Sequence, residues 1–130
     1  METLTKILLV GAGGAAGANI RYWLGGWLAN FWNMGVWSTF TVNVSGSLVI
    51  GLFMGLALEL NWNQNWRLFV AIGILGGYTT YSTFAYEALR LLADRDYVRA
   101  LIYIEGTALC SVFGAWLGLV GARAILGGRV

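Results

Sequence analysis

The chain has no histidine and no proline, a single cysteine (Cys110), and charged side chains at only 11% of its 130 positions. Without histidine a Ser-His triad cannot be assembled, and with one cysteine both an internal disulfide and a Cys/His metal site are excluded. The eight Lys and Arg are scattered and the net charge is +2, so the clustered basic track that a phosphate backbone demands is missing and nucleic acid is not an expected partner. The scarcity of charge excludes most. A soluble domain carries about 25% charged residues, and a chain this short has too much surface for its volume to hide a composition that is 58% hydrophobic with a mean hydropathy of +0.69. Its solvent is lipid. Four spans of about 20 residues take about 80 and leave roughly 50 for ends and loops. Residues 1–130 are therefore expected to form one all-α, four-helix transmembrane domain with no domain outside the membrane.

The spans are legible as charge-poor runs. The first covers about 7–28 with one charge, Arg21; the second, about 36–58, contains none, and no ionisable acid or base separates Arg21 from Glu59. A polar turn (Asn61, Asn63, Gln64, Asn65) leads to Arg67 and a third run over about 68–92. The cluster Arg90, Asp94, Arg95, Asp96 and Arg99 closes it, and the fourth run covers about 100–126. Trp27, Trp32, Trp37, Trp62 and Trp66 fall near span ends, as interfacial aromatics do. A signal peptide is the rival reading of the first run. Lys6 alone is a poor n-region for one, and nothing is left outside the membrane to export.

Glycine is abundant, 19 residues, and occurs four apart once in each span: Gly13/Gly17, Gly51/Gly55, Gly73/Gly77 and Gly114/Gly118. In lipid, small residues at this spacing let helix backbones approach, so these pairs read as packing seams and not as chemistry. Four helices enclose little interior, and a transporter of this size is most economically an oligomer. Charge balance suggests which. Lys6, Arg67, Arg123 and Arg129 fall on one side of a four-span topology, and Arg90, Arg95 and Arg99, with Arg21 leaning their way, on the other. Positive charge near the spans sets orientation, and here it barely differs. Such a chain is expected to insert both ways, and two opposed copies would pair about a two-fold axis in the membrane plane. A near-balance of so few charges also arises by chance.

Three polar features lie where they are costly. In the third run, Gly76-Gly77-Tyr78-Thr79-Thr80-Tyr81-Ser82-Thr83-Phe84 sits at mid-membrane, and adjacent glycines followed by β-branched residues are poor helix formers. A break there would free carbonyls that protein, water or an ion must satisfy, and half-helix ends bind ions in other transport folds. The alternative is a continuous helix whose hydroxyls bond back to the preceding turn; five consecutive hydroxyl-bearing residues, Thr79 to Thr83, favour the break. The second feature is Thr39, Asn43 and Ser47, which recur every fourth residue on one face of the second span. Asn43 offers two donors and an acceptor, serving either as interhelical glue or as a pore lining. Tyr103, Thr107 and Ser111 repeat the pattern in the fourth span, and neutral donors suit a small anion handed along without being held. Of the ionisable residues, Arg21 stands about two turns inside its span and Glu87 about 12 Å from the centre of its own. Glu105 lies about five residues into the fourth run and is by default a functional candidate.

The run GGYTTYSTF at 76–84, with Asn43 in TFTVNVSGS, Arg21 in GANIRYWLG and the tyrosine-led stripe at 103–111, resembles the Fluc (CrcB) family of small bacterial fluoride channels across all four spans. The resemblance implies a fluoride-selective channel of the cell (inner or plasma) membrane, exporting fluoride passively, with no enzymatic activity. It implies an antiparallel, dual-topology homodimer whose third helices are broken at mid-membrane. A structural Na⁺ would be held at the axis by main-chain oxygens of Gly76 and Thr79. The family's paired phenylalanines fall on Tyr81 and Phe84, the former departing by a hydroxyl. Its pore asparagine falls on Asn43 with Thr39 one turn before, its Ser-Thr pair on Ser82 and Thr83, and its polar track on Tyr103, Thr107 and Ser111. The vestibule arginine and the acidic residue after the motif fall on Arg21 and Glu87. Glu105 has no counterpart. The physics runs the same way: fluoride is compact and strongly hydrated, so donors must replace its water, and aromatic rings present positive edges to an anion.

Two other classes fit the length. A small-multidrug-type proton-coupled exporter needs a carboxylate within its first span, where this chain has none. A structural membrane subunit would account for the glycine seams but not for three polar stripes. A bulky side chain at Gly76 is expected to crowd the turn.

Overall fold

The computed structural model describes residues 2–32 and 35–127, and these are helical apart from short connections, with no strand among them. Helix α1 spans Glu2–Trp32 and α2 spans Gly35–Glu59. A turn through Asn61, whose φ is 49°, leads to Asn63, whose Oδ1 accepts from the Asn65 N–H at 2.9 Å and starts the next helix. This helix, α3, covers residues 64–78 and is not regular: Arg67–Leu75 form a wide π-helical stretch before the last turn, Gly76–Tyr78. Thr79 and Thr80 are extended, with φ/ψ of −78°/157° and −148°/113°. Helix α4 then runs over Tyr81–Ala93. A turn through Arg95, φ 60°, leads to Asp96, which caps α5, Tyr97–Ile125, by accepting from the Arg99 N–H at 3.2 Å. Arg129, counted in the charge balance, lies outside the described residues.

The glycine pairs decide which helices touch. Gly13 and Gly17 of α1 meet Gly73 and Gly77 of α3 so closely that a Cβ on Gly73 would stand 2.8 Å from Gly13 Cα. Gly51 and Gly55 of α2 meet α5 in the same way, and a Cβ on Gly118 would stand 2.6 Å from the Leu52 backbone nitrogen. Lipid tails are as apolar as leucine, so association rests on this close backbone packing. A hydroxyl ties the two pairs: Ser38 Oγ donates to the Gly25 carbonyl at 2.7 Å, joining the start of α2 to α1.

The segments Gly35–Glu59, Gln64–Ala93 and Tyr97–Ile125 are each long and apolar enough to cross a membrane. Helix α1 is longer, at 31 residues, but its glycines, Asn19 and Arg21 dilute its hydropathy and it does not join those three. Their outward surface is lipid-compatible, with Val98 and Val112 each 73% exposed and Leu109 67%. The chain is a membrane protein.

Candidate functional site

The site is organised by the two extended residues. Where α3 stops at Tyr78, Thr80 turns its main chain to Asn43 of α2: its N–H donates to Oδ1 at 2.8 Å, and its carbonyl accepts from Nδ2 at 3.0 Å. One amide side chain thus satisfies both polar groups of one peptide residue in a half-buried setting, which removes the penalty for leaving them unpaired. The Thr80 hydroxyl acts as the N-cap of α4, accepting from the Thr83 N–H at 3.2 Å and donating to the Thr83 hydroxyl at 3.0 Å. These bonds have a consequence one turn back. In a continuous helix the Thr80 N–H would go to the Gly76 carbonyl and the Thr83 N–H to that of Thr79. Here both are diverted, and the Gly76 and Thr79 carbonyls lose their helical donors. Thr79 Oγ1 itself bonds back to the Leu75 carbonyl at 2.9 Å.

Beside this step an open groove of about 350 Å³ runs between α2, α3, α4 and α5. Asn43 and Ser47 line it from α2, Gly76, Thr79 and Thr80 from the step, Tyr81 and Phe84 from α4, and Thr107 and Ser111 from α5. Tyr81 and Phe84 stand on one helix face with ring centroids 5.6 Å apart, and Tyr81 is 81% exposed on the open side. The Thr107 hydroxyl is buried and has no hydrogen-bond partner. The Ser47 hydroxyl, by contrast, is spent on the Asn43 carbonyl at 2.8 Å.

At one end of the groove the Phe84 ring lies 5.3 Å from that of Tyr103, and here a carboxylate enters. Tyr103, fully buried, donates its hydroxyl to Glu87 Oε2 at 2.6 Å, and Thr39 donates to Oε1 at 3.1 Å. Both oxygens of Glu87 are thereby held by neutral donors from two other helices.

Of the residues expected to act together, the structure gathers Asn43, Tyr81, Phe84, Thr107, Ser111, Gly76 and Thr79 around the groove. Thr39 and Tyr103 are not among its lining; they gather on Glu87. Ser82 and Thr83 are exposed, their hydroxyls bonded within the cap around Thr80. Arg21, half-buried on α1, lines neither the groove nor the Glu87 cluster and makes no ion pair among the described residues. Glu105 is exposed on α5. Within one copy a Cβ at Gly76 has only the Ala71 carbonyl oxygen near it, at 3.8 Å. Gly77 is the crowded one, its Cβ position lying 2.6 Å from the Gly14 carbonyl oxygen. Thr80, the residue that Asn43 clamps, is missed by sequence reasoning. Its only signal is its place between the glycine pair and a capping threonine three residues on.

Residues 8–119 match the family described as CrcB-like protein, Camphor Resistance (CrcB). The chain belongs to that family. Among curated relatives, it is 42% identical over 123 residues to a fluoride-specific ion channel FluC of Thermus thermophilus, covering 94% of this chain and 97% of the relative. It is 43% identical over 126 residues to the protein of the same name from Sulfurihydrogenibium sp., covering 94% and 100%. Fluoride-specific ion channel FluC 3 of Methanosarcina barkeri is 44% identical over 114 residues, 86% of each chain. These three relatives are named as ion channels, which is not a class of enzyme.

Proposed function

We propose that this protein is a fluoride-selective channel, four-spanning, that lets fluoride leave the cytoplasm passively across the cell's inner membrane. The observation that carries the reading is the groove itself: a donor-lined passage at the interruption of a membrane helix, bearing the buried, unpartnered Thr107 hydroxyl. An unpaired buried donor costs about 1–3 kcal/mol, and a transient anion is a partner that would recover that cost. Asn43 keeps a second amide hydrogen after serving Thr80, Ser111 adds a hydroxyl, and the rings of Tyr81 and Phe84 offer positive edges. Thr39 and Tyr103 belong to the same path one step on, where an anion would exchange places with the Glu87 carboxylate for their hydrogens. The relatives' names support fluoride as the ion.

The open side of the groove supports assembly as an antiparallel homodimer. A compact, strongly hydrated anion is not stripped of water by a trough, and a second copy laid across Tyr81 would close it. The Gly76 and Thr79 carbonyls suit a structural Na⁺ on that axis. They are hard, uncharged oxygen donors whose helical partners have been diverted, whereas the described residues contain no Cys, Asp and Glu cluster that would hold another metal. When bound, the ion would supply fixed positive charge beside the groove.

A proton-coupled exporter finds no support in α1, whose one acid, Glu2, lies at its start and pairs with Lys6. Liposomes containing the purified protein should release fluoride down its gradient, far faster than chloride and without a proton gradient. Equal release of the two halides, or strict dependence on a pH gradient, would overturn the reading. A label attached at one terminus should be reached from both sides of the membrane, and one-sided labelling would remove the antiparallel dimer.

A further inference from the structure

A second groove, of about 220 Å³, lies between the first turn of α2 and the last two turns of α4, lined by Gly35, Val36, Glu87, Arg90, Leu91 and Asp94. It shares Glu87 with the cluster at the end of the first groove, because the same carboxylate that lines it is held by Thr39 and Tyr103. Tyr103 in turn packs, ring centroids 5.3 Å apart, on Phe84, a lining residue of the first groove. The linings of the two grooves are therefore joined through one cluster of contacts, Phe84 to Tyr103 and Tyr103 with Thr39 to Glu87. We infer that the second groove is the other mouth of the conduction path and that Arg90 is the residue that makes this mouth passable for an anion. The inference rests on the channel reading above.

The charge inventory of the groove makes Arg90 decisive. Its lining carries two carboxylates, Glu87 and Asp94, and one cation, Arg90. Without that cation an arriving fluoride would meet only negative charge at the mouth. Asp94, the residue that ends α4, stands four after Arg90, yet the two form no ion pair; the ion pairs among the described residues are Lys6 with Glu2 and Arg99 with Asp96. The Arg90 guanidinium, permanently charged, is exposed and not neutralised by a contacting carboxylate. Glu87 is less of an obstacle than Asp94, since two hydroxyl hydrogens already face its oxygens. A charged lining at a cleft changes the arrival rate of an ion by about ten-fold or more at low ionic strength, and the effect fades as salt rises.

The test is fluoride release from liposomes at about 0.01 M and about 1 M of an impermeant salt, where the screening length is about 30 Å and about 3 Å. Arg90→Gln should slow release about ten-fold at low salt and far less at high salt, while Arg90→Lys stays near the parent protein. Asp94→Asn should speed release a few-fold at low salt, a gain that misfolding cannot mimic. Arg99→Gln, which removes a charge at the neighbouring start of α5 but outside the groove, should slow release much less than Arg90→Gln does. Parent-like release by Arg90→Gln at low salt, an equal loss with Arg99→Gln, or no gain with Asp94→Asn would overturn the inference while leaving the channel intact. Absence of fluoride release by the parent protein would instead remove the channel reading, and this inference with it.

Discussion

Along the seam between α2 and α5, Gly51 and Gly118 face backbone atoms of the opposite helix, and both helices run through it without interruption. At the step between α3 and α4, Gly76 faces open space on the groove, and the helix beyond it is interrupted for two residues. Both regions are built from small residues in an apolar setting. In the seam each helix keeps its hydrogen bonds to itself, so the missing side chains serve only to bring two cylinders together. At the step the hydrogen bonds leave the helix: Asn43 takes both main-chain groups of Thr80, and the Thr80 hydroxyl takes the Thr83 N–H. Small residues in lipid thus stabilise by excluding everything, or open a place where something else fits, and the neighbouring polar side chain decides which.

Gly77→Val should break the comparison most severely. The added carbons meet the Gly14 carbonyl oxygen and Cα of α1, which are backbone and cannot swing away, so the variant should lose folded protein in detergent, read as a collapsed elution peak. Gly76→Ala, one residue earlier, should keep the parent's helical content by circular dichroism, because within one copy the nearest atom to its Cβ is the Ala71 carbonyl oxygen at 3.8 Å. Asn43→Ala comes next. It leaves the Thr80 N–H and carbonyl unpaired, at about 1–3 kcal/mol for each group, and should lower the thermal midpoint in detergent as well as abolish fluoride release. Smallest in stability is Thr107→Val, which removes a buried hydroxyl that has no partner to lose. Its thermal midpoint should stay level or rise by an amount worth about 1 kcal/mol, while fluoride release falls at least several-fold; Thr107→Ser should restore release. If Thr107→Val conducts normally, the unpaired hydroxyl is not part of the path.

Much of this is readable without coordinates. Charge-poor runs mark α2, α3 with α4, and α5, and the four-residue glycine spacing anticipates the faces on which helices meet. It does not say which pairs will meet, since Gly13/Gly17 is as suited to Gly114/Gly118 as to Gly73/Gly77. The candidate site is legible as residue types: hydroxyls, an amide and two rings at helical spacing. Its wiring is not. Tyr103 and Thr39 look like free donors in the sequence, yet both face Glu87, 16 and 48 residues away along the chain.

Composition and periodicity alone settle the solvent of this chain, its helical character and the positions at which helices can touch, because lipid leaves the backbone no alternative to internal hydrogen bonds and because glycines four apart are visible in one dimension. Which donor meets which acceptor depends on distances between separate helices. The diversion of the Thr80 main chain to Asn43, the pairing of Thr39 and Tyr103 on one carboxylate, and the open space beside Gly76 against the contact beside Gly77 all arise from how the helices are set against each other. Hydrogen bonds are short and directional, so a shift of one residue in that setting would reassign every one of them without altering the hydrophobic pattern.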